Sequence, residues 1–345
     1  MNFQIAMLLG QDGVTNGAIY ALLALSILLV FTVTRILLIP QGEYVTYGAL
    51  TMAALQAGQP TSLVWLLLGL TLIDCTLDLI GAARASHGFR LPRWVPVKLA
   101  YAVAMILLIQ NLSLAELPMA IQAMLTLALV VPLGPQIYRL FFQPVADAHP
   151  LVLLIVSIAV HVAMVGVGLL LFGPEGARTQ PFSEAGLELG PVTLNSQTLW
   201  VIVVSLILIT SLFLFFERSL YGKALRATAV NRMGARLMGI SPTLAGKATF
   251  AMATFIGALS GILIAPITTL YFDSGFVISL KGFVGAIIGG LVSYPVAALG
   301  ALVVGLIEAF SMFWASTYKE IIVFTLIIPF LLWRSLTSRH VEEEE

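Results

Sequence analysis

Five ionisable side chains lie within or beside long apolar stretches of this 345-residue sequence, and they are the first candidates for chemistry. A charge inside an apolar span costs several kcal/mol unless it is paired or faces water. Such residues therefore belong either to structural pairs or to a solute pathway. They are Glu43, Asp74, Asp78, His161 and Glu308.

Two interpretations stay open for both glutamates. Glu43, near the start of an apolar stretch, would either line a pathway or order a loop at a helix N-terminus. Glu308, in the middle of one, would either bond a structural partner such as Ser, Tyr or backbone, or act as a pathway-facing or gating carboxylate. Asp74 and Asp78 are four residues apart and share a helix face, and we expect them to be structural. For the lone His161 we expect an interhelical hydrogen bond.

The residue sets that support catalysis are missing. Gly222-Lys223 and Gly246-Lys247 lack the preceding glycine and the following Ser/Thr of a phosphate-binding loop. No Ser/His/Asp set, H-E-x-x-H motif or metal-ligand cluster stands out, and the single Cys75 excludes a disulfide framework. We therefore expect the chain not to be an enzyme and to bind no cofactor itself.

The composition predicts an all-α polytopic membrane protein. Hydrophobic residues make up 59% of the chain and charged residues 10%, against about 25% charged in soluble domains. This excludes a nucleic-acid-binding protein and an ordinary cytosolic enzyme. We expect about 11 transmembrane or part-spanning helices in one domain, 1–345. Residues 42–58 and 282–294 are short of the ~20 residues of a full crossing. The segments are 14–34, 42–58, 63–82, 97–115, 117–137, 151–173, 199–216, 247–270, 282–294, 296–314 and 319–334.

The basic residues predict the orientation. With the N-terminus outside and the C-terminus cytoplasmic, 14 of the 17 Lys and Arg residues fall on the inside, where such residues concentrate. Arg178, Lys281 and Lys319 fall outside. An external loop spans 174–198, and an internal loop at 217–247 carries six basic residues and one acidic residue. Helical periodicity predicts a short amphipathic helix in the internal loop, ended by Gly239. Such a helix would bind either anionic membrane lipid or another protein.

Four groups of residues match one known family. The 217–247 loop fits G-x-x-x-R-A-x-x-x-[ND]-x-x-x-A-x-x-x-G-I at every position, and Asn16–Leu22 fits N-G-x-x-Y-A-L. Residues 42–49 and 285–308 fit two further motifs. The chain thus resembles, over about 1–58 and 138–335, the membrane subunits of branched-chain amino-acid-type ABC importers, specifically the H-type subunit of the Liv systems.

The resemblance implies a permease subunit of the bacterial inner membrane that works by ATP-driven alternating access. Its partners would be an M-type permease subunit, two cytosolic ATPase subunits, which would bind ATP and Mg, and a periplasmic solute-binding protein. The implied ATPase-coupling residues are Gly222, Arg226, Ala227, Asn231, Ala235, Arg236, Gly239 and Ile240. The implied pathway residues are Gly42, Glu43, Tyr44, Gly289, Gly290 and Glu308.

The sequence departs from the family pattern in two places. Residues 38–42 lack the aromatic and histidine that precede the acidic residue in the family, so amino acids, urea, short amides and aromatic acids all stay open as the solute. Residues 80–137 contain about two extra helices. The rival interpretation is a gradient-driven transporter or channel without an ATPase, with Glu308 as its ion or proton site.

Overall fold

The computed structural model describes residues 3–84, 92–183, 186–189, 192–291 and 293–337. The predicted all-α class is confirmed, and each of the eleven apolar segments coincides with a helix or with two consecutive helices. The helices are α1 (Phe3–Thr34), α2 (Gln41–Gln56), α3 (Leu63–Arg84), α4 (Trp94–Asn111), α5 (Met119–Val130), α6 (Leu133–Ile137), α7 (Pro150–Phe172), α8 (Ser196–Arg218), α9 (Leu220–Val230), α10 (Arg232–Leu237), α11 (Pro242–Ile264), α12 (Ser274–Ile288), α13 (Tyr294–Ala315), α14 (Lys319–Thr325) and α15 (Ile327–Thr337).

Eight helical segments of the described chain are long and apolar enough to cross a membrane. The last of them, Tyr294–Leu332, takes in α13, α14 and most of α15. Helices α2 and α12, with 16 and 15 residues, are shorter than the ~20 residues of a crossing, as predicted for part-spanning segments. Within the 174–198 loop, β1 (Gly186–Leu189) and β2 (Val192–Asn195) form an antiparallel hairpin.

Helix α1 lies at the centre of the bundle. Nearly every residue from Gly17 to Val30 is buried, and the helix packs against α11, α12 and α13. Its contact with α13 depends on glycine, because a Cβ at Gly305 would lie 2.4 Å from the backbone nitrogen of Gly17. Small residues at such positions let membrane helices touch through their backbones. Helices α3, α4, α7 and α8 lie at the periphery, where a third or less of their most apolar stretch is buried.

Two predicted boundaries were wrong. Helix α12 begins at Ser274 rather than near 282, so Lys281 lies within a helix and is buried instead of lying in an external loop. The internal loop forms two short helices, α9 and α10, rather than one, because Asn231 ends α9 and caps α10. Gly239, with φ of +81°, ends this segment as predicted. In the 80–137 region, α4 packs on α3, and residues 85–91 lie outside the described part.

Candidate functional site

A polar cavity lies among α1, α12, α13 and the segment that follows α11. Its volume is about 660 Å³, within the usual range of small-molecule sites. Its walls carry charged and hydroxyl side chains, which is unusual within a bundle of apolar helices. The cavity lies toward the N-terminal end of α1, which is the external end in the orientation that the basic residues predict. The polar lining residues include Asp12, Thr15, Asn16, Tyr20, Asp273, Lys281, Glu308, Lys319 and Glu320.

A buried ion pair forms one wall of this cavity. The Nζ of Lys281 on α12 donates to Glu308 Oε1 on α13 at 2.5 Å, and the hydroxyl of Tyr20 on α1 donates to Glu308 Oε2 at 2.6 Å. Lys281 and Glu308 are 5% and 4% exposed. Glu308 thus has the Tyr partner of the structural interpretation and also lines the cavity, and its role in a solute pathway stays a prediction. Lys281 was missed as a site residue because the sequence assigned it to a loop.

A short interruption of the helical structure, which we call the 35–40 break, separates α1 from α2 within the bundle. Residues 35–40 are non-helical, and Arg35 has a φ of +61°. Buried backbone groups require partners, and Ser157, in the first half of α7, supplies them: it accepts from Ile39 N at 3.0 Å and donates to Leu37 O at 2.7 Å. Irregular backbone at such depth is tolerated next to protein or a water-filled path.

The N-terminal ends of the two short helices α2 and α12 meet next to this break. A Cβ at Gly42 would lie 2.1 Å from the carbonyl oxygen of Gly275, so only glycine fits. Tyr44 is fully buried and packs against Gly257 of α11. Gly42 and Tyr44, predicted as pathway residues, thus hold α2 against α12 and α11, and neither lines the cavity.

Glu43 pairs with His161 beside this junction. Glu43 is completely buried, and its Oε1 lies 3.0 Å from His161 Nδ1, a separation that one shared proton would bridge. The imidazole stacks on Phe276 of α12 with ring centroids 4.4 Å apart. The interhelical partner expected for His161 is therefore Glu43. Ser274, two residues before Phe276, lines the cavity, so the pair lies near the cavity wall without forming part of it.

Gly289 and Gly290 lie at the other end of α12, in the turn toward α13. Gly290 has a φ of +67°, and a Cβ at Gly289 would lie 2.7 Å from Ala297 Cα. These glycines therefore permit a close turn. They do not line the cavity, so the structure separates them from Glu308, the only predicted pathway residue that does.

Asp74 and Asp78 belong to a structural cluster of four charges. Lys98 of α4 contacts the two carboxylates at 2.6 and 2.8 Å. Arg139, in the π-helical turn Tyr138–Phe142, binds Asp74 at 2.5 Å and also binds Asp78. The cluster joins α3, α4 and this turn with balanced charge, which agrees with the structural role expected for both aspartates.

Helices α9 and α10 extend from the bundle and carry the predicted coupling residues. Gly222 is buried where α9 crosses the end of α8, because a Cβ there would lie 2.2 Å from Phe215 O. Arg226 donates to the carbonyl of Phe216 and contacts Glu217 at 3.1 Å. Both residues hold α9 against α8.

The remaining coupling residues lie on or near α10. The side chain of Asn231 accepts from Gly234 N at 2.9 Å. Ala235 is buried, and its carbonyl accepts from Ile240 N in the turn that Gly239 closes. Ala227 and Arg236 are exposed, with no side-chain partner among the described residues. Among the predicted coupling residues, Ala227, Asn231, Arg236 and the half-exposed Arg226 therefore present side chains at the surface.

The exposed surface of this helix pair is apolar as well as basic. Large hydrophobic side chains are more than 60% exposed here, a patch that usually marks an interaction site or a membrane contact. The sequence motif did not identify them. They are Leu220, Tyr221, Val230, Met233, Leu237 and Met238.

Arg232 connects α10 to the bundle. Its guanidinium donates to Thr34 O, at the end of α1, and to Ala146 O, before α7, at 2.5 and 3.1 Å. Thr34 immediately precedes the 35–40 break. The sequence identified Arg232 only as one of the basic residues of the internal loop. Its partners are 198 and 86 residues away in sequence, so these contacts could not be predicted.

A bundle of eight apolar helical segments of the described chain, long enough to cross a membrane and with a polar cavity among them, is typical of a multi-pass membrane protein. The family model "branched-chain amino acid transport system / permease component" matches residues 95–331, and the chain belongs to this family. It is a transport subunit and not an enzyme.

Two relatives illustrate the similarity. The high-affinity branched-chain amino acid transport system permease protein BraD of Pseudomonas aeruginosa is 26% identical over 238 residues, which cover 66% of this chain and 78% of BraD. The corresponding permease protein LivH of Escherichia coli K12 is 27% identical over 210 residues, 58% of this chain and 67% of LivH. Both support the predicted H-type identity. No solved structure matches the chain at a significant level.

Proposed function

We propose that this chain is the H-type permease subunit of an ABC importer of the bacterial inner membrane. It forms a pathway for amino acids or similar small polar solutes together with an M-type permease subunit. Two cytosolic ATPase subunits drive it, and a periplasmic binding protein delivers the solute. The observation that carries the proposal is the exposed apolar surface of α9 and α10 at the end of a permease bundle.

The mechanism is alternating access driven from α9 and α10. ATP-dependent closure of the ATPases moves this helix pair, and Arg232 transmits the movement to the end of α1. The 35–40 break and the short helix α2 follow, because non-helical backbone bends more easily than a continuous helix. The junction of α2 with α12 then changes the access to the cavity.

The chemistry of the cavity fits a small polar solute. Two lysines and four carboxylates line it, and one Lys–Glu pair is already internally neutral. The three other carboxylates and Lys319 leave a surplus of negative charge for binding the ammonium group of an amino acid.

A gradient-driven carrier would need a carboxylate free to exchange an ion or proton. Glu308, the candidate for that role, is bonded to Lys281 and Tyr20. The family membership and this pairing favour the ATP-driven function.

The test is reconstitution of the purified subunits in liposomes, with uptake and ATP hydrolysis measured together. Leu237→Ser removes a side chain that is 82% exposed on α10. Truncating a central interface anchor typically costs more than about 1 kcal/mol, so we expect uptake and solute-stimulated ATP hydrolysis to fall by about tenfold.

The matched control is Leu170→Ser, which changes a leucine of similar exposure, 85%, near the opposite end of the bundle. It should leave both rates unchanged. Equal rates for the two variants would contradict docking of the ATPase on α10. Uptake by the lone chain without ATP would contradict the whole proposal.

A further inference from the structure

An apolar groove lies beside the ends of α8 and α13. Its volume is about 340 Å³, and its wall is almost entirely apolar. Phe213 and Phe216 of α8, Tyr294 of α13 and Leu25 of α1 line it, the rings of Phe216 and Tyr294 stack with centroids 5.7 Å apart, and Arg226 and Glu217 lie where α8 ends. The groove is separate from the polar cavity and shares none of its lining residues.

The groove opens toward the membrane rather than toward water. Helix α8 is the least buried of the candidate spans, and Phe213 beside the groove is 58% exposed. The groove occupies the last turns of α8, next to α9. An occupant would therefore have an apolar part within the bilayer and a polar part at its surface.

The charges at the end of the groove specify the polar part. Arg226 uses one nitrogen for its contacts with Phe216 O and Glu217, and a guanidinium carries five donors. Its side chain is 50% exposed, so the other donors can be reached. Lys223, three residues earlier on the same helix, lies on the same face, and its side chain has no partner among the described residues.

We propose that this groove binds one anionic phospholipid. An acyl chain lies between Phe213 and Tyr294, and the phosphate group accepts hydrogen bonds from Arg226 and Lys223. Such charge-assisted bonds are stronger than neutral ones, and basic residues at a membrane surface favour anionic over zwitterionic lipid. The bound lipid would join α8, α9 and α13, and so hold the base of the helix pair α9–α10 in place.

The test counts lipids on the intact chain by native mass spectrometry after purification in mild detergent. The probes are phosphatidylglycerol and phosphatidylcholine, added separately at equal concentration. Wild-type protein should retain one phosphatidylglycerol, and phosphatidylcholine about fivefold less. Lys223→Gln should remove most of this preference.

The apolar part is tested with a pair of neighbouring substitutions. Thr210→Trp fills the groove from its exposed wall, whereas Ser211→Trp adds the same ring to the next residue, which is exposed and does not line the groove. Only Thr210→Trp should lower retention, and equal retention by the two variants would overturn the proposal. It would also be overturned by equal retention of both lipids on wild-type protein. Loss of lipid whenever the other permease subunit is present would assign the groove to a protein partner instead.

Discussion

The pair formed by Lys281 and Glu308 is the most consequential contact at the scale of single residues. Two charges withdrawn from water require each other, because each would otherwise remain buried without compensation. Tyr20 satisfies the second carboxylate oxygen, so the arrangement joins α1, α12 and α13 at the cavity wall.

Lys281→Met should therefore destabilise the folded chain. Removing one partner of a buried ion pair costs about 3–5 kcal/mol, and we expect a lower unfolding temperature in detergent and less folded protein in the membrane. Lys319→Met is the matched control, because Lys319 lines the same cavity without an ion-pair partner among the described residues. A Lys281→Met chain as stable as the control would contradict a structural role for the pair.

The double variant Lys281→Met, Glu308→Gln separates stability from transport. Because neither position then holds a charge, it should recover much of the lost stability. If the pair also serves the solute pathway, uptake should stay low in this stable variant. Full uptake would mean that Lys281 and Glu308 stabilise the fold and do not take part in transport.

Sequence reasoning found one member of this pair and misplaced the other. Glu308 was identified because a lone carboxylate within a long apolar run is visible to any hydropathy criterion. Lys281 follows Tyr271, Asp273 and Ser274, polar residues that make the start of α12 look like a loop. A lysine can be recognised as buried only once its partner on another helix is known.

At the scale of elements, the apolar segments predicted where every major helix lies along the chain, but not how the helices pack against one another. Hydropathy indicates where a span lies along the chain, and it identified α2 and α12 as short. That the N-terminal ends of α2 and α12 meet depends on the contact of Gly42 with Gly275, 233 residues apart, which no local pattern encodes. The hydrogen bonds that Ser157 forms with the backbone of the 35–40 break also join residues that are far apart in the sequence.

The connection between α10 and α1 gives a prediction at this scale. Arg232→Gln removes the guanidinium that binds Thr34 O and Ala146 O while leaving the exposed surface of α10 intact. Hydrogen bonds from charged groups contribute about 1.5–3 kcal/mol. We expect ATP hydrolysis by the assembled transporter to persist while uptake per ATP falls about tenfold.

Arg218→Gln is the control for this experiment. Arg218 is an exposed basic residue at the end of α8, with no side-chain partner among the described residues. Its loss should leave the ratio of uptake to hydrolysis unchanged. A parallel fall of uptake and hydrolysis in Arg232→Gln would instead place Arg232 in the docking surface.

At the scale of the whole molecule, contacts between distant segments determine which helix ends share a side of the membrane. Ala177, after α7, and Leu270, after α11, exchange two backbone hydrogen bonds. Arg232 joins the end of α1, the start of α7 and α10. The ends of α7 and α11 thus lie together in one group. The end of α1, the start of α7 and α10 form the other group. Both groups agree with the predicted alternation of crossings.

These contacts leave open which group faces the cytoplasm, and the basic residues predict it. The 217–247 loop carries six Lys and Arg residues, whereas 174–198 carries one. Because basic residues resist translocation, Met238 should face the cytoplasm and Glu175 the outside. Both are exposed in the structure, so cysteines placed there are open to reagents.

Labelling of intact cells with a membrane-impermeant maleimide tests this orientation. In a Cys75→Ser background, Glu175→Cys should react in intact cells, and Met238→Cys only after the membrane is permeabilised. The wild-type chain, whose single Cys75 is buried, should stay unlabelled in both conditions. The reverse pattern would place α9 and α10 outside, where no ATPase can reach them. Reaction of both cysteines in intact cells would mean that an even number of crossings separates them, against the single crossing by α8. Because α8 alone separates residue 175 from residue 238, the experiment measures that single crossing, and with it the side on which ATP must act.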